Sequence, residues 1–165
     1  MKKVILLALL FAPMTMLAQK FGHFNSAEVL PNMKEYIAAQ TEIQTLTKQY
    51  EDDLKRMQDE LQKKGTEYEA EKANLLDNVR IRREAELEDL YKRIQQSYQD
   101  NQMALQKVSQ EKMQAISELM SAAIKKIGDA GGYVYIMDIS AGIPYISSTL
   151  STDLTSEIKK ALGVQ

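Results

Sequence analysis

Residues 43–61, IQTLTKQYEDDLKRMQDEL, carry the spacing of apolar residues from which the fold can be predicted. They belong to a longer stretch, residues 32–127, which contains no proline and a single glycine, Gly65. Its commonest residue types are Glu, Lys, Gln, Ala, Leu and Arg, which lose little on entering a helix. Apolar residues recur three or four positions apart and so lie on one stripe of a helix, which predicts a long coiled-coil arm. The stripe consists of Ile43, Leu46, Tyr50, Leu54, Met57, Leu61, Tyr68, Leu87, Leu90, Ile94, Tyr98, Leu105 and Val108.

The arm, residues 32–127, is predicted to fold back on itself at residues 74–78, NLLDN. Asn and Asp favour turns and helix caps, so Asp77 or Asn78 can cap a second helix that begins at Val79. Strand-like segments flank the arm on both sides, and they can pair only if the arm doubles back. Gly65 is a competing hinge, but a break there would leave two helices of very unequal length. The sequence therefore predicts an antiparallel helical hairpin.

Polar residues interrupt the apolar stripe in the second half of the arm. The interruption falls at Ser97, Asn101 and Gln102. Such residues either reduce the rigidity of a coiled coil or fix its register, and the sequence leaves both interpretations open.

Three short segments outside the arm are predicted to be strands. Residues 20–25 and residues 133–137 are rich in aromatic or β-branched residues, and the second segment is apolar enough for both of its faces to be covered. Residues 143–147 are the third segment, where Pro144 places the strand at an edge or at its first residue.

Helix signals complete the two chain ends. Ser26 is predicted to cap a single helical turn, Gly131 to stop the arm, and Asp153 to cap a short helix over residues 154–162. The small number of strands and helices at the two chain ends buries too little apolar surface for a stable core. We therefore expect several subunits to share the β-rich body, residues 19–31 with 128–165. Its candidate contact residues are Phe21, Phe24, Tyr133, Val134, Tyr135, Ile136, Ile143 and Tyr145.

Residues 1–18 have the features of a secretory signal peptide. Lys2 and Lys3 precede an apolar run, residues 4–12, that is short for a membrane span, and Ala18 offers a small residue at the cleavage point. A retained membrane anchor is the alternative. The chain has no cysteine, so an exported protein would be stabilised by packing or oligomerisation rather than by disulfides.

The charge balance argues against nucleic-acid binding. Once Lys2 and Lys3 are removed with the signal peptide, 19 basic residues stand against 23 acidic ones, a net charge of −4. The sequence also lacks a phosphate-binding glycine loop, a plausible Ser/His/Asp set and a pair of carboxylates in a cleft. His23 is the only histidine, so no zinc site is expected. We therefore expect neither enzymatic activity nor a cofactor.

Two groups of arm residues are candidates for contact with a partner. Arg80, Arg82 and Arg83 follow the predicted turn and could meet anionic groups, although pairing across the hairpin with Glu67, Glu69 and Glu71 is the favoured interpretation. Methionines can offer adaptable apolar contacts. Met57 and Met120 are predicted to pack along the stripe, whereas Met103 lies just off it and is the better candidate for an exposed contact.

The order of these features resembles the OmpH/Skp family of periplasmic chaperones. The resemblance rests on a signal followed by FGHFNSAEVL (residues 21–30), on the Gln/Glu/Lys-rich arm, and on GYVYIMD (residues 132–138) followed by DLT (residues 153–155). It covers nearly the whole chain after residue 18. The arm alone has little specificity, so the two ends and their order carry the comparison.

The resemblance implies a jellyfish-like homotrimer, with strands of three chains forming a small body and three helical hairpins projecting as tentacles. It also implies an ATP-independent holdase that keeps unfolded outer-membrane proteins in the cavity between the arms, and a weak contact with membrane or lipopolysaccharide. Familiar members are strongly basic, and the mildly acidic charge of this chain departs from them. The alternative function is a structural coiled-coil spacer or adaptor of the cell envelope.

Overall fold

The computed structural model describes residues 19–164, so the predicted signal peptide lies outside the described residues. The fold is mainly helical, with a long helical hairpin and a small sheet, as predicted. Its residues form two units, a helical arm (residues 31–119) and a β unit (residues 19–30 with 120–164). In chain order the strands and helices are β1 (Lys20–Phe24), α1 (Ser26–Val29), α2 (Lys34–Glu71), α3 (Asp77–Gly131), β2 (Tyr133–Asp138), β3 (Ser151–Asp153) and α4 (Thr155–Ala161).

The hairpin turns two residues earlier than the sequence predicts, because Asp77 and Asn78 already belong to the second helix. Helix α2 ends at Glu71, a single 3-10 turn covers Lys72–Asn74, and Leu75 is extended. The backbone oxygen of Leu76 then accepts hydrogen bonds of 2.9 Å from the N–H groups of Val79 and Arg80, which starts α3. We call residues 72–76 the tip.

The apolar stripe forms the contact between α2 and α3. Every predicted member is buried or half-buried except Tyr98, which is 55% exposed. Of the predicted polar interruptions, Ser97 and Asn101 are half-buried on the stripe, whereas Gln102 is exposed and does not belong to it. The sequence does not say how two helices of unequal length could form one hairpin. The structure answers this, because the part of α3 after Leu119 belongs to the β unit.

Two polar contacts between side chains join the helices of the arm. The Tyr68 hydroxyl donates to the Glu84 carboxylate, and Lys112 Nζ lies 2.7 Å from Glu42 Oε2. Tyr68 and Glu84 are each eight residues from Leu76, and Glu42 and Lys112 are 34 and 36 residues from it. Both contacts therefore fit the same antiparallel register.

Gly65 lies inside α2 in open space, which leads to a prediction about stability. A Cβ added there would meet no atom within 4 Å. Alanine has a higher helix propensity than glycine and a smaller unfolded-state entropy, so Gly65→Ala is expected to raise the free energy of unfolding by about 0.4–1 kcal/mol. Urea denaturation followed by circular dichroism measures this change.

Gly22→Ala is the matched control for Gly65→Ala, with the opposite expected sign. A Cβ at Gly22 would lie 2.7 Å from Leu154 Cδ1 and 3.2 Å from Ile136 Cγ1, and Leu154 is itself buried. The added methyl group would overpack this contact, which typically costs about 1–3 kcal/mol. Equal effects of the two substitutions would contradict our account of both glycines.

The β unit contains a three-stranded parallel sheet with the order β2-β1-β3. Central strand β1 pairs with β2, with Phe21 opposite Tyr135, and with β3, with Phe21 opposite Ser151. A register shift in the β1–β2 pair follows Lys20. The first and last parts of the described chain are thus joined in one sheet, as the hairpin prediction requires.

One face of the sheet is covered by helices. Gly22 and Phe24 of β1 are buried on this face, together with Leu154. Helix α3 also reaches it, because a Cβ at Gly128 would lie 3.5 Å from Ile136 Cδ1 of β2. The buried apolar residues of the β unit are Phe24, Val29, Ile127, Leu154, Ile158 and Val164.

The structure corrects the predicted third strand. Residues 143–147, which include the candidates Ile143 and Tyr145, form an irregular segment, and β3 instead occupies Ser151–Asp153. The β-branched residues suggested a strand, but Pro144 lacks a backbone N–H for a sheet ladder. Position in a strand is decided here by pairing with β1 rather than by local propensity.

Smaller corrections concern the ends of the helices. Asn25, not Ser26, caps α1, because its side-chain oxygen accepts a 3.1 Å hydrogen bond from the Ala27 N–H. Helix α3 includes Gly131, and the chain leaves the helix through Gly132 at φ +66°. Asp153 does bond to the first residue of α4, because its Oδ1 accepts from the Thr155 N–H at 2.9 Å.

Candidate functional site

The face of the sheet opposite the helices is open and largely apolar. Side chains alternate between the two faces of a strand, so Phe21 and His23 lie opposite to Gly22 and Phe24. The Phe21 and Tyr135 rings are stacked with their centroids 4.9 Å apart. Met137 lies opposite His23 in the register. The predicted complete coverage of residues 133–137 is wrong for the single chain, because Val134, Tyr135 and Met137 are exposed.

The segment between β2 and β3 extends this apolar face. With the sheet it encloses a concavity of about 400 Å³. Tyr145 is 80% exposed and Leu150 is 72% exposed, although both line the concavity. We call the residues Phe21, His23, Tyr135, Met137, Ile143, Tyr145 and Leu150 the open sheet face. Sequence reasoning missed Met137 and Leu150, although Met137 could have been found from its alternation with Tyr135.

The candidate contact residues of the β-rich body all lie in the β unit, but on different sides of it. Phe24 is buried, and Tyr133 and Ile136 lie beside Gly22 on the helix-covered face. Val134 is exposed at the register shift. Phe21, Tyr135, Ile143 and Tyr145 belong to the open sheet face.

His23 takes part in a polar contact at the edge of the open sheet face. Its Nδ1 lies 2.8 Å from Ser151 Oγ, and its register partner on β3 is Asp153. The Asp153 carboxylate accepts two hydrogen bonds from Thr155, 2.6 Å from the hydroxyl and 2.9 Å from the N–H. In a catalytic triad the serine lies at Nε2 of the imidazole and the carboxylate lies at Nδ1. Ser151 lies at Nδ1 of His23, so these three residues lack the arrangement of a triad.

The Thr155 hydroxyl and backbone N–H lower the pKa of Asp153. A carboxyl whose folded pKa is depressed stabilises the fold above its unfolded pKa of about 4, and the contribution disappears as the pH falls through the folded pKa. We therefore expect Asp153→Asn to weaken the loss of stability on acidification below about pH 4. Thr155→Val removes the hydroxyl donor and should weaken it as well. Urea denaturation at a series of pH values tests this, and unchanged acid profiles in both variants would contradict it.

Asp138 holds the end of β2 to the start of α1. Its Oδ1 accepts hydrogen bonds from the N–H groups of Ser26, at 3.1 Å, and Ser140, at 2.9 Å. Burial alone would raise the pKa of Asp138, but the hydrogen bonds from Ser26 and Ser140 outweigh burial and lower this pKa. The carboxylate thus fixes the chain where it leaves the sheet.

Two of the three candidate arginines, Arg80 and Arg82, form ion pairs within α3 rather than across the hairpin. Arg80 pairs with Asp77 at 2.9 Å and Arg82 approaches Glu86 at 3.9 Å, whereas Glu69 pairs with Lys72 of its own segment. The predicted pairing across the hairpin with Glu67, Glu69 and Glu71 is therefore wrong. Arg83 lines a narrow cleft beside Tyr68 and Leu87. Exposed intrahelical pairs of this kind contribute little to stability.

Tyr68 is buried on the apolar stripe. The hydrogen bond from its hydroxyl to the Glu84 carboxylate raises the pKa of Tyr68. This contact lies beside the arginine cluster and was not expected from the sequence. A tyrosine on an apolar stripe eight residues before the turn, with a glutamate eight residues after it, is the signal that could have revealed it.

Met103 is 59% exposed on α3, and Met113 is exposed as well. Met57 and Met120 are half-buried, in line with their predicted positions. Tyr91 and Tyr98 add two exposed aromatic side chains to α3. The arm thus presents separate apolar side chains on a charged surface.

None of the helices between residues 19 and 164 combines the length and the apolar character needed to cross a bilayer. The same residues include no group of three or more His, Asp or Glu side chains arranged to hold a metal ion.

Comparison with known proteins identifies the family. The family model described as "Outer membrane protein (OmpH-like)" matches residues 20–162, which include the helical arm and all three strands. The chain belongs to this OmpH-like family. A search of curated proteins finds no match.

The fold of this OmpH-like protein is similar to that of a solved structure. The crystal structure is of a candidate outer membrane chaperone (OmpH-like) from Caulobacter crescentus CB15. The match has a TM-score of 0.76 at 16% sequence identity and covers 87% of this chain and 83% of the other. At this identity the likeness concerns the fold.

Proposed function

We propose that this OmpH-like protein is an ATP-independent periplasmic holdase that binds unfolded outer-membrane proteins and prevents their aggregation. The observation that carries the proposal is the family match, which spans both the arm and the β unit. The description of the Caulobacter crescentus protein as a chaperone supports it. Many weak contacts along an arm can together hold a client firmly while each contact stays exchangeable.

We further propose that the protein acts as a homotrimer assembled through the open sheet face. An apolar surface of this kind on a small unit is typical of an interface between chains. Tyr135, Tyr145 and Leu150 would lose their contact with water there, and each copy would then contribute one arm. The number three comes from the resemblance to the OmpH/Skp family.

The deciding experiment uses a urea-unfolded outer-membrane β-barrel protein diluted into buffer. Light scattering should fall as the OmpH-like protein is added, reach its minimum near stoichiometric trimer, and be the same with and without ATP. A folded barrel protein serves as the control and should not bind. Unchanged scattering, together with capture of a single folded partner, would overturn the holdase in favour of an envelope spacer or adaptor.

A further inference from the structure

A groove runs along the contact between α2 and α3 near the middle of the arm. It has a volume of about 420 Å³. Ile94 is buried in it and Leu54 is half-buried, whereas Tyr98 stands 55% exposed at its wall. The remaining lining residues are Gln58, Gln95 and Gln99. We call this site the amide groove.

The lining of the amide groove carries no formal charge, although charged residues surround it along both helices. Lys55 and Asp59 form an ion pair on α2, and Arg93 and Asp89 form one on α3. These pairs are exposed and satisfied, so the groove itself offers apolar surface, amide groups and one phenol side chain, all uncharged. A charged ligand would find no opposite charge there, whereas a neutral ligand would leave no charged group unpaired.

The three amide side chains have hydrogen-bonding capacity to spare. Gln95 Nε2 donates to the Tyr91 hydroxyl at 2.7 Å, which fixes the side chain and leaves its carbonyl oxygen as an acceptor. The side-chain amides of Gln58 and Gln99 hydrogen-bond to no other group among residues 19–164. A primary amide offers donors and an acceptor together, which matches the N–H and C=O groups of a peptide backbone.

We propose that the amide groove binds an extended, uncharged segment of non-native polypeptide, with one aromatic or large aliphatic side chain inserted between Leu54, Ile94 and Tyr98. The glutamine amides would bond to the peptide groups on either side of that side chain. From Ile94 to Gln99 the helix rises about 7.5 Å, the length of two to three extended residues. Strands of outer-membrane barrels, which alternate apolar and polar residues and carry aromatic girdles, have the required chemistry. This inference rests on the proposed holdase function and names one contact site for its clients.

The test uses a ten-residue peptide with blocked ends that alternates Ser and Val and carries one Trp at its centre. The protein contains no Trp, so tryptophan emission reports on the peptide alone. We expect the emission to shift to shorter wavelength and its anisotropy to rise as the full-length protein is added. A matched peptide with Lys on both sides of the Trp should bind more weakly, because the groove has no charge to pair with it.

Three variants assign the binding to the amide groove. Tyr98→Ala should weaken peptide binding about fivefold, since it removes an aromatic wall. The double variant Gln58→Glu/Gln99→Glu should weaken binding by a similar factor, because carboxylates cannot donate hydrogen bonds to peptide carbonyls. Gln102→Glu/Gln106→Glu, which adds the same charge at residues exposed outside the groove, is the control and should bind as the unchanged protein does. Circular dichroism verifies that all variants keep their helices.

Equal binding by all variants, or no rise in anisotropy up to about 1 mM protein, overturns the amide groove as a binding site. The aggregation assay separates this outcome from failure of the holdase. A protein that suppresses aggregation equally well with Tyr98→Ala is a holdase whose clients bind elsewhere. If peptide binding depends on Tyr98 but the protein does not suppress aggregation, the groove is supported as a peptide-binding site and the holdase function is contradicted.

Discussion

Ile158→Ala is expected to lower the free energy of unfolding of the β unit by about 2–5 kcal/mol. Ile158 has no exposed surface and lies in α4 one turn after Leu154, whose side chain reaches Gly22 of the central strand. Truncation removes buried methyl and methylene groups and leaves a cavity that the surrounding side chains fill only in part. The β unit has few other buried residues, so the loss represents a large part of its stability.

Ile81→Ala is the matched control for Ile158→Ala, since the same chemical change is made at a side chain that is 64% exposed on α3. Its effect should stay within about 0.5 kcal/mol. Urea denaturation followed by tyrosine fluorescence measures both, at one protein concentration because association contributes to apparent stability. If the two variants unfolded at the same urea concentration, Ile158 would not be the core residue that its burial indicates.

The double substitution Tyr135→Asp/Met137→Asp is expected to convert the proposed trimer into monomers. Both side chains are exposed on the open sheet face of the single chain. Covering that face with a second copy would remove two carboxylates from water, and an unpaired buried charge is strongly unfavourable. The helical content should remain, because neither residue belongs to a helix. Sedimentation equilibrium gives the mass, and light scattering gives the loss of holdase activity.

Met103→Asp/Met113→Asp adds the same charge at exposed positions of the arm and should leave the assembled mass unchanged. If Tyr135→Asp/Met137→Asp leaves the mass unchanged, the open sheet face is not the interface between subunits. If the unsubstituted protein is a monomer, the proposed trimer is contradicted. The aggregation assay would still test the holdase function.

The arm could be predicted closely because its information is local. The apolar spacing fixes which side of each helix is covered, and the turn residues around Leu76 interrupt a stretch that otherwise favours a helix throughout. The same periodicity could not show that Tyr98, on the stripe, stays exposed beside Gln58 and Gln99. Whether a groove forms beside Tyr98 depends on which side chains of the opposite helix pack next to it. The spacing of apolar residues in the sequence does not contain this information.

The β unit was predicted less well because its strands are determined by pairing between segments that are far apart in the sequence. Tyr133–Asp138 is apolar and aromatic and was found as a strand, with one more residue than expected. Ser151–Asp153 has no such composition, and it is a strand because β1 offers it an edge to pair with. The hydrogen bond between Tyr68 and Glu84 likewise depends on the register of the folded hairpin, so the sequence reveals it only once the position of the turn is known.

The parallel sheet has a consequence for how the chain reaches its folded state. Tyr133 follows its partner Lys20 by 113 residues, and Ser151 follows Phe21 by 130. During synthesis, β1 therefore emerges before both of its neighbours and remains unpaired until residues 133–138 have been made. Contacts so distant in sequence form slowly, whereas a helical hairpin closes through nearby contacts and shortens the loop that remains. Assembly of the sheet should be the late and rate-limiting step, and an early-terminated chain would expose an apolar strand with nothing to pair with.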